Sequence, residues 1–150
     1  MKISEIVEEK KYSVSFEVFP PKTVDKMETV VTAAKKIAEL KPTFMSVTYG
    51  AGGGTSEYTV EIARQLQEDQ GVPMMAHLTC ITSDKETVDR QLELLREKKI
   101  QNILALRGDL PEGFQTTEKN FRHASELVRE IKEFDPNFCI AGACYPETHP

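Results

Sequence analysis

The sequence predicts an α/β fold, a partial (β/α)8 TIM barrel with about five of the eight strands and four of the eight helices. Three observations predict alternating strands and helices, and the third favours a barrel over an open sheet. β-rich runs begin near Ser13, Thr43, Pro73, Asn102 and Cys139, a beat of about thirty residues. The segments after the first four runs carry apolar residues at helical spacing. Polar residues inside the runs alternate at period two, so they share one face of each strand.

The first run, SVSFEVF (13–19), stops at Pro20-Pro21, because neither proline can donate a ladder hydrogen bond. Met27, Val30, Val31, Ala34, Ile37 and Ala38 then predict a helix with one apolar face. The second run is TFMSVTYG (43–50). Thr55 or Ser56 can cap the helix after it, and Ile62, Ala63 and Leu66 give that helix a face. PMMAHLTC (73–80) follows, then a capping box of the S-x-x-E type at Ser83–Glu86 and a stripe of Val88, Leu92 and Leu95. NILALRG (102–108) precedes a fourth stripe, Phe121, Ala124, Val128 and Ile131, and CIAGACY (139–145) is the fifth run.

Strand and helix alternating at this spacing mean βαβ units and a parallel sheet. No two-residue hairpin turn separates the runs. Two architectures use the unit, the open doubly wound sheet and the closed barrel. Central strands of an open sheet are mostly continuous apolar runs. Here Ser13, Ser15 and Glu17, then Ser46 and Thr48, then His77 and Thr79 break that pattern. A barrel interior tolerates such residues near its C-terminal mouth, which favours a barrel. A closed barrel has eight strands in about 250 residues, so five runs correspond either to the first part of a barrel or to an open sheet.

Composition bounds the function. Hydrophobic residues are 39% and charged residues 29%, which excludes a disordered chain, a collagen and a disulfide-built miniprotein. No apolar run approaches ~18 residues, so no membrane span is expected. The charged start MKISEIVEEKKY does not read as a secretory signal. A net charge of -5 argues against a nucleic-acid partner. Three cysteines without a CxxC pair predict reduced thiols and a cytoplasmic location. Cys139, Cys144 and His149 have poor zinc spacing, so no metal is expected and the cysteines are expected to be small buried thiols.

Several residues can carry chemistry. Glu17 lies in an otherwise apolar run; it is either an edge-strand carboxylate facing water or a general acid kept protonated by apolar neighbours. Thr48 to Thr55 is a glycine-rich strand-to-helix loop, either a flexible connection or a close approach to an anionic ligand. His77 is either a satisfied core residue or a ligand contact. Arg107-Gly108-Asp109 ends the fourth run, as an internal ion pair or as two charges aimed into a mouth. No G-x-S-x-G elbow supports a hydrolase. Glu17, Thr48, His77, Arg107/Asp109 and Tyr145 each end a different strand, which points to one rim.

Five stretches together resemble the methylenetetrahydrofolate reductase family: SFEVFPPK (15–22), FMSVTYGAGGGTS (44–56), AHLTC (76–80), NILALRGDLP (102–111) and GACYPETHP (142–150). The loop after Thr48 looks like that of the bacterial single-domain type. The resemblance implies that residues 1–150 are the N-terminal portion of a single FAD-binding barrel domain. It implies FAD as cofactor, NADH or NADPH as partner and methylenetetrahydrofolate as substrate, in one-carbon metabolism and methionine supply. It assigns Glu17 as general acid and Asp109 as the carboxylate that tunes flavin and pterin, both touching substrate. It carries cofactor contacts to Thr48, His77, Arg107, Asp109, Ala124, Ala143, Tyr145 and His149, with Tyr49 and Gly108 beside them. His123 stands where the family usually has Tyr, so affinity or potential is expected to differ. A homo-oligomer is expected of the complete enzyme. The alternative from another class is a truncated, non-catalytic relic or binding module of the same fold.

Overall fold

The computed structural model describes residues 1–49 and 56–145. Among them are α1 (Ile3–Glu9), β1 (Ser15–Val18), α2 (Met27–Ala38), β2 (Phe44–Val47), α3 (Ser56–Gln70), β3 (Met74–Thr79), α4 (Lys85–Glu97), β4 (Asn102–Leu106), α5 (Ala124–Phe134) and β5 (Cys139–Gly142). The five strands are all parallel and lie in the order β1-β2-β3-β4-β5. That order decides between the two architectures. A doubly wound sheet reverses direction at a switch point, whereas a barrel adds each strand on the same side of the last. Right-handed crossovers that always step the same way put every crossover helix on one face. The sheet is not closed, and the arrangement is that of a partial barrel.

The core lies between that face and the helices. Met45, Val47, Met74, Ala76, Leu78, Ile103 and Ala105 point into it from the strands. They meet Val31, Ala34 and Ala38 of α2, Ile62, Ala63 and Leu66 of α3, Val88, Leu92 and Leu95 of α4, and Leu127 and Ile131 of α5. The stripes expected for α2, α3 and α4 are therefore the buried ones. In α5 the buried line runs through Leu127 and Ile131, with Val128 only half-buried.

Two local features differ from expectation. The cap of α4 is Asp84, whose Oδ1 accepts the Thr87 N–H at 2.9 Å, and not Ser83. Hydrogen bonds from the Thr87 side chain and the Thr87 N–H hold the Asp84 pKa down. Among the described residues the α-helices number five, because α1 precedes the first strand. It is seven residues long and buries only Ile3, so it carries almost no periodic signal. Asn102, 1% exposed at the start of β4, holds it: Oδ1 accepts the Ile3 N–H at 2.8 Å, and Nδ2 donates to the Met1 carbonyl at 3.2 Å and the Met74 carbonyl at 3.0 Å. A buried amide with three partners ties the N-terminal segment to two strands.

Candidate active site

Alternation along β1 puts Phe16 and Val18 against the helices, so Glu17 falls on the helix-free face. Register pairs Glu17 with Ser46 of β2, and Ser46 with Met75 of β3, two residues before His77. The stagger brings the three polar side chains together. Glu17 Oε2 lies 3.3 Å from His77 Nε2, and the Ser46 hydroxyl donates to the same Oε2 at 3.5 Å. The Glu17 side chain is 46% exposed and that of His77 8%. The expected apolar surroundings of Glu17 are not found: its neighbours are a hydroxyl and an imidazole, because adjacent strands present polar residues at the same level.

The Glu17–His77 contact has the distance of an ion pair without the alignment of a hydrogen bond, and among the described residues the buried Nε2 makes no hydrogen bond. Burial pushes the His77 pKa down, and the Glu17 charge opposes this only in part. The imidazole is therefore neutral near pH 7.

The fourth strand end is built tightly. The Arg107 carbonyl accepts N–H groups from Cys80 at 3.2 Å and Ile81 at 2.9 Å, which staples β4 to the end of β3. Gly108 follows at φ +81°, and a Cβ there would stand 2.9 Å from the Thr79 Cβ. Only glycine meets both conditions. Asp109 comes next and is exposed.

Beside this turn, β4, β5 and the start of α5 line an open cavity of about 260 Å³. Arg107, His123, Ala124, Ala143 and Tyr145 line it, with Val128 at its apolar wall. Five residues expected at one cofactor therefore share one cavity. Glu126 already accepts the N–H groups of Arg122 at 2.6 Å and His123 at 3.0 Å, which hold its pKa down. A guanidinium, a phenol, an imidazole and small apolar side chains suit a flat group with an anionic attachment. The lining fits part of the flavin dinucleotide that the sequence implies.

Other expected residues lie apart. Thr48 continues the β1–β2 ladder, its N–H bound to the Val18 carbonyl at 2.9 Å, and its own carbonyl accepts the Thr59 hydroxyl at 2.8 Å. Tyr49 lines a separate groove of about 780 Å³ with Ser83, Leu94 and Phe114, on the side of α4. His149 and the glycine-rich loop lie outside the described residues. The cysteines are not uniformly buried. Cys80 is, and burial pushes its thiol up to about 11, so it is a protonated, inert group 3.6 Å from the His123 carbonyl. Cys139 is half-buried and Cys144 exposed, because β5 is an edge of the described sheet. Ser46 is the site residue that sequence reading passed over. It was visible as a polar residue on the right face, but its partner depends on register.

The family model described as methylenetetrahydrofolate reductase matches residues 2–150. "Methylenetetrahydrofolate reductase (NADH) 1" of Arabidopsis thaliana is 42% identical over 99% of this chain and 26% of its own length. The "5,10-methylenetetrahydrofolate reductase" of Pectobacterium carotovorum is 41% identical, and that of Escherichia coli 38%, each over 92% of this chain and 45% of the relative. The chain thus spans between a quarter and a half of these relatives, and it is as similar to a plant protein as to a bacterial one. A solved aldolase structure superposes with a TM-score of 0.61 at 16% identity, covering 89% of this chain and 57% of that one. That likeness supports the barrel-type fold alone.

Proposed function

The chain belongs to the methylenetetrahydrofolate reductase family, and from that premise we propose that it forms the proton-donating and flavin-binding part of an FAD-dependent enzyme. That enzyme reduces 5,10-methylenetetrahydrofolate to 5-methyltetrahydrofolate with NADH or NADPH as donor. The observation that carries this reading is the contact of Glu17 with His77 at 3.3 Å on the helix-free face. An acid and a neutral imidazole side by side at strand ends suit proton transfer beside a bound cofactor.

When bound, FAD supplies the hydride. The chain's own residues do the rest. Arg107 meets the negative charge of the cofactor, and Tyr145 and His123 offer rings that stack. Ala124, Val128 and Ala143 keep water from the same space. His77, neutral through burial, stands beside Glu17 without adding charge. Glu17 donates a proton to a folate nitrogen as the ring of the substrate opens. Asp109, exposed after the Gly108 turn, presents a carboxylate to the cation that forms in the substrate. Thr48 borders the cofactor from the second strand. We place the enzyme in the cytoplasm, as a homo-oligomer, within one-carbon metabolism.

The test is the full-length protein under anaerobic conditions. The expected result is a yellow protein bleached by NADH or NADPH and re-oxidised by methylenetetrahydrofolate, with 5-methyltetrahydrofolate formed in equal amount. A protein that holds no flavin, or whose reduced flavin is indifferent to the folate, would overturn the reading.

A further inference from the structure

We propose that Ser46 is a positioning residue for Glu17, its hydroxyl holding Oε2 so that the transferable proton resides on Oε1. The proposal rests on the reading of Glu17 as the acid and goes beyond it.

The two polar contacts of the carboxyl converge on one oxygen. Ser46 Oγ donates to Oε2 at 3.5 Å, and His77 Nε2 stands 3.3 Å from the same atom. Among the described residues Oε1 has no polar partner. An oxygen that already accepts a hydroxyl proton is the poorer place for the acid's own proton, so the proton belongs on Oε1. His77 crowds Oε2 without an aligned bond, which leaves Ser46 as the donor there.

Ser46 itself argues for the role. It is 8% exposed in a strand whose other members, Phe44, Met45 and Val47, are apolar. A hydroxyl buried in such a strand costs stability unless it is bonded. Parallel register sets it level with Glu17, on the same face of the neighbouring strand. An alanine would pack there as well; a hydroxyl adds only the bond.

The bond strengthens when it matters. In the transfer, the O–H bond at Oε1 breaks and its electron pair stays on the carboxylate, while an N–H bond forms on the folate. Negative charge then spreads to Oε2, and a neutral hydrogen bond becomes a charge-assisted one, roughly twice as strong. An interaction that grows along the reaction coordinate raises the rate of that step alone.

The experiment uses the full-length flavin-loaded protein and follows each half-reaction by stopped flow. Ser46→Ala should slow re-oxidation by the folate about ten-fold, equivalent to ~1.4 kcal/mol. Flavin reduction by nicotinamide should stay within about two-fold. Ser46→Cys keeps the size with a weak donor and should resemble the Ala variant, whereas Ser46→Thr restores a hydroxyl and should recover most of the rate. The solvent deuterium isotope effect on the folate step should rise in the Ala variant, because proton transfer limits it more. Equal loss in both half-reactions, an unchanged folate step, or a Cys variant as fast as wild type would overturn the proposal. Glu17→Gln is run alongside. If it retains the folate step, the acid assignment fails; if it loses that step while Ser46→Ala does not, only the positioning role fails.

Discussion

Glu17 and His77 lie on strands that are not neighbours, yet their side chains approach to 3.3 Å across the short Ser46 between them. The pair joins a half-exposed carboxyl to a buried imidazole, so only the first is open to a substrate.

That asymmetry makes Glu17 the group to remove. Glu17→Gln keeps the shape and a contact with Ser46 but loses the transferable proton. Flavin content and flavin reduction by nicotinamide should persist. Re-oxidation by methylenetetrahydrofolate should fall by about a hundred-fold or more, the usual worth of a positioned acid. Equal loss of both half-reactions in rapid-mixing experiments would make Glu17 a structural residue.

The buried imidazole makes stability depend on pH. Burial holds the folded His77 pKa below its ordinary 6.5, so the unfolded chain binds that proton more readily. Stability therefore falls as pH drops below 6.5, until the folded imidazole is protonated too, and the effect is absent well above 6.5. His77→Asn, of similar polarity without the titration, should lose less melting temperature between about pH 8 and pH 5 than wild type. Thermal melts across that range check it. A variant with the wild-type pH slope would mean that the proton is accommodated in the fold.

What was legible in the sequence follows from what each feature depends on. The faces of α2 and α4 were readable because Val31, Ala34 and Ala38, or Val88, Leu92 and Leu95, must repeat to meet the sheet. α1 was not, because its docking depends on Asn102, about a hundred positions away, and not on its own pattern. Ser83 and Asp84 both satisfy the capping preference, and the structure puts Asp84 at the cap. The strand ends were legible as a rim, since each strand runs the same way. Which side chains meet there was not. The approach of Glu17 to His77 needs the stagger of three strands, and the departure of Tyr49 toward the α4 groove needs the path of the chain after β2.

The Gly108 turn offers a controlled comparison. Gly108 and Gly113 both have positive φ, +81° and +77°, but a Cβ at Gly113 meets nothing within 4 Å, whereas at Gly108 it meets Thr79 at 2.9 Å. Gly113→Ala should cost about 1 kcal/mol from backbone strain alone. Gly108→Ala adds overpacking against β3 and should cost about 3 kcal/mol. Denaturant titrations read the difference. Equal costs would mean that the β3–β4 junction yields, and that the close approach to Thr79 does not hold the Arg107 turn in place.

Asp109 follows that turn and is exposed at the end of β4, so its carboxylate can act on charge outside the protein core. In the proposed reaction the substrate becomes cationic before it accepts hydride, and the flavin gains negative charge when it is reduced. One carboxylate beside both favours the first and opposes the second. Asp109→Asn removes the charge and keeps the shape. A unit charge about 4 Å away is worth ~1 kcal/mol in a watery setting. The folate step should therefore slow about five-fold or more, and the two-electron midpoint of the flavin should rise by ~20 mV or more. The two effects have opposite signs for the enzyme: the flavin is easier to reduce, yet less able to pass its electrons on. A structural defect would not produce that pair, since it would loosen flavin and slow both steps together. Potentiometric titration of the flavin and stopped-flow re-oxidation by the folate decide it, and a midpoint that stays or falls would remove Asp109 from the neighbourhood of the ring.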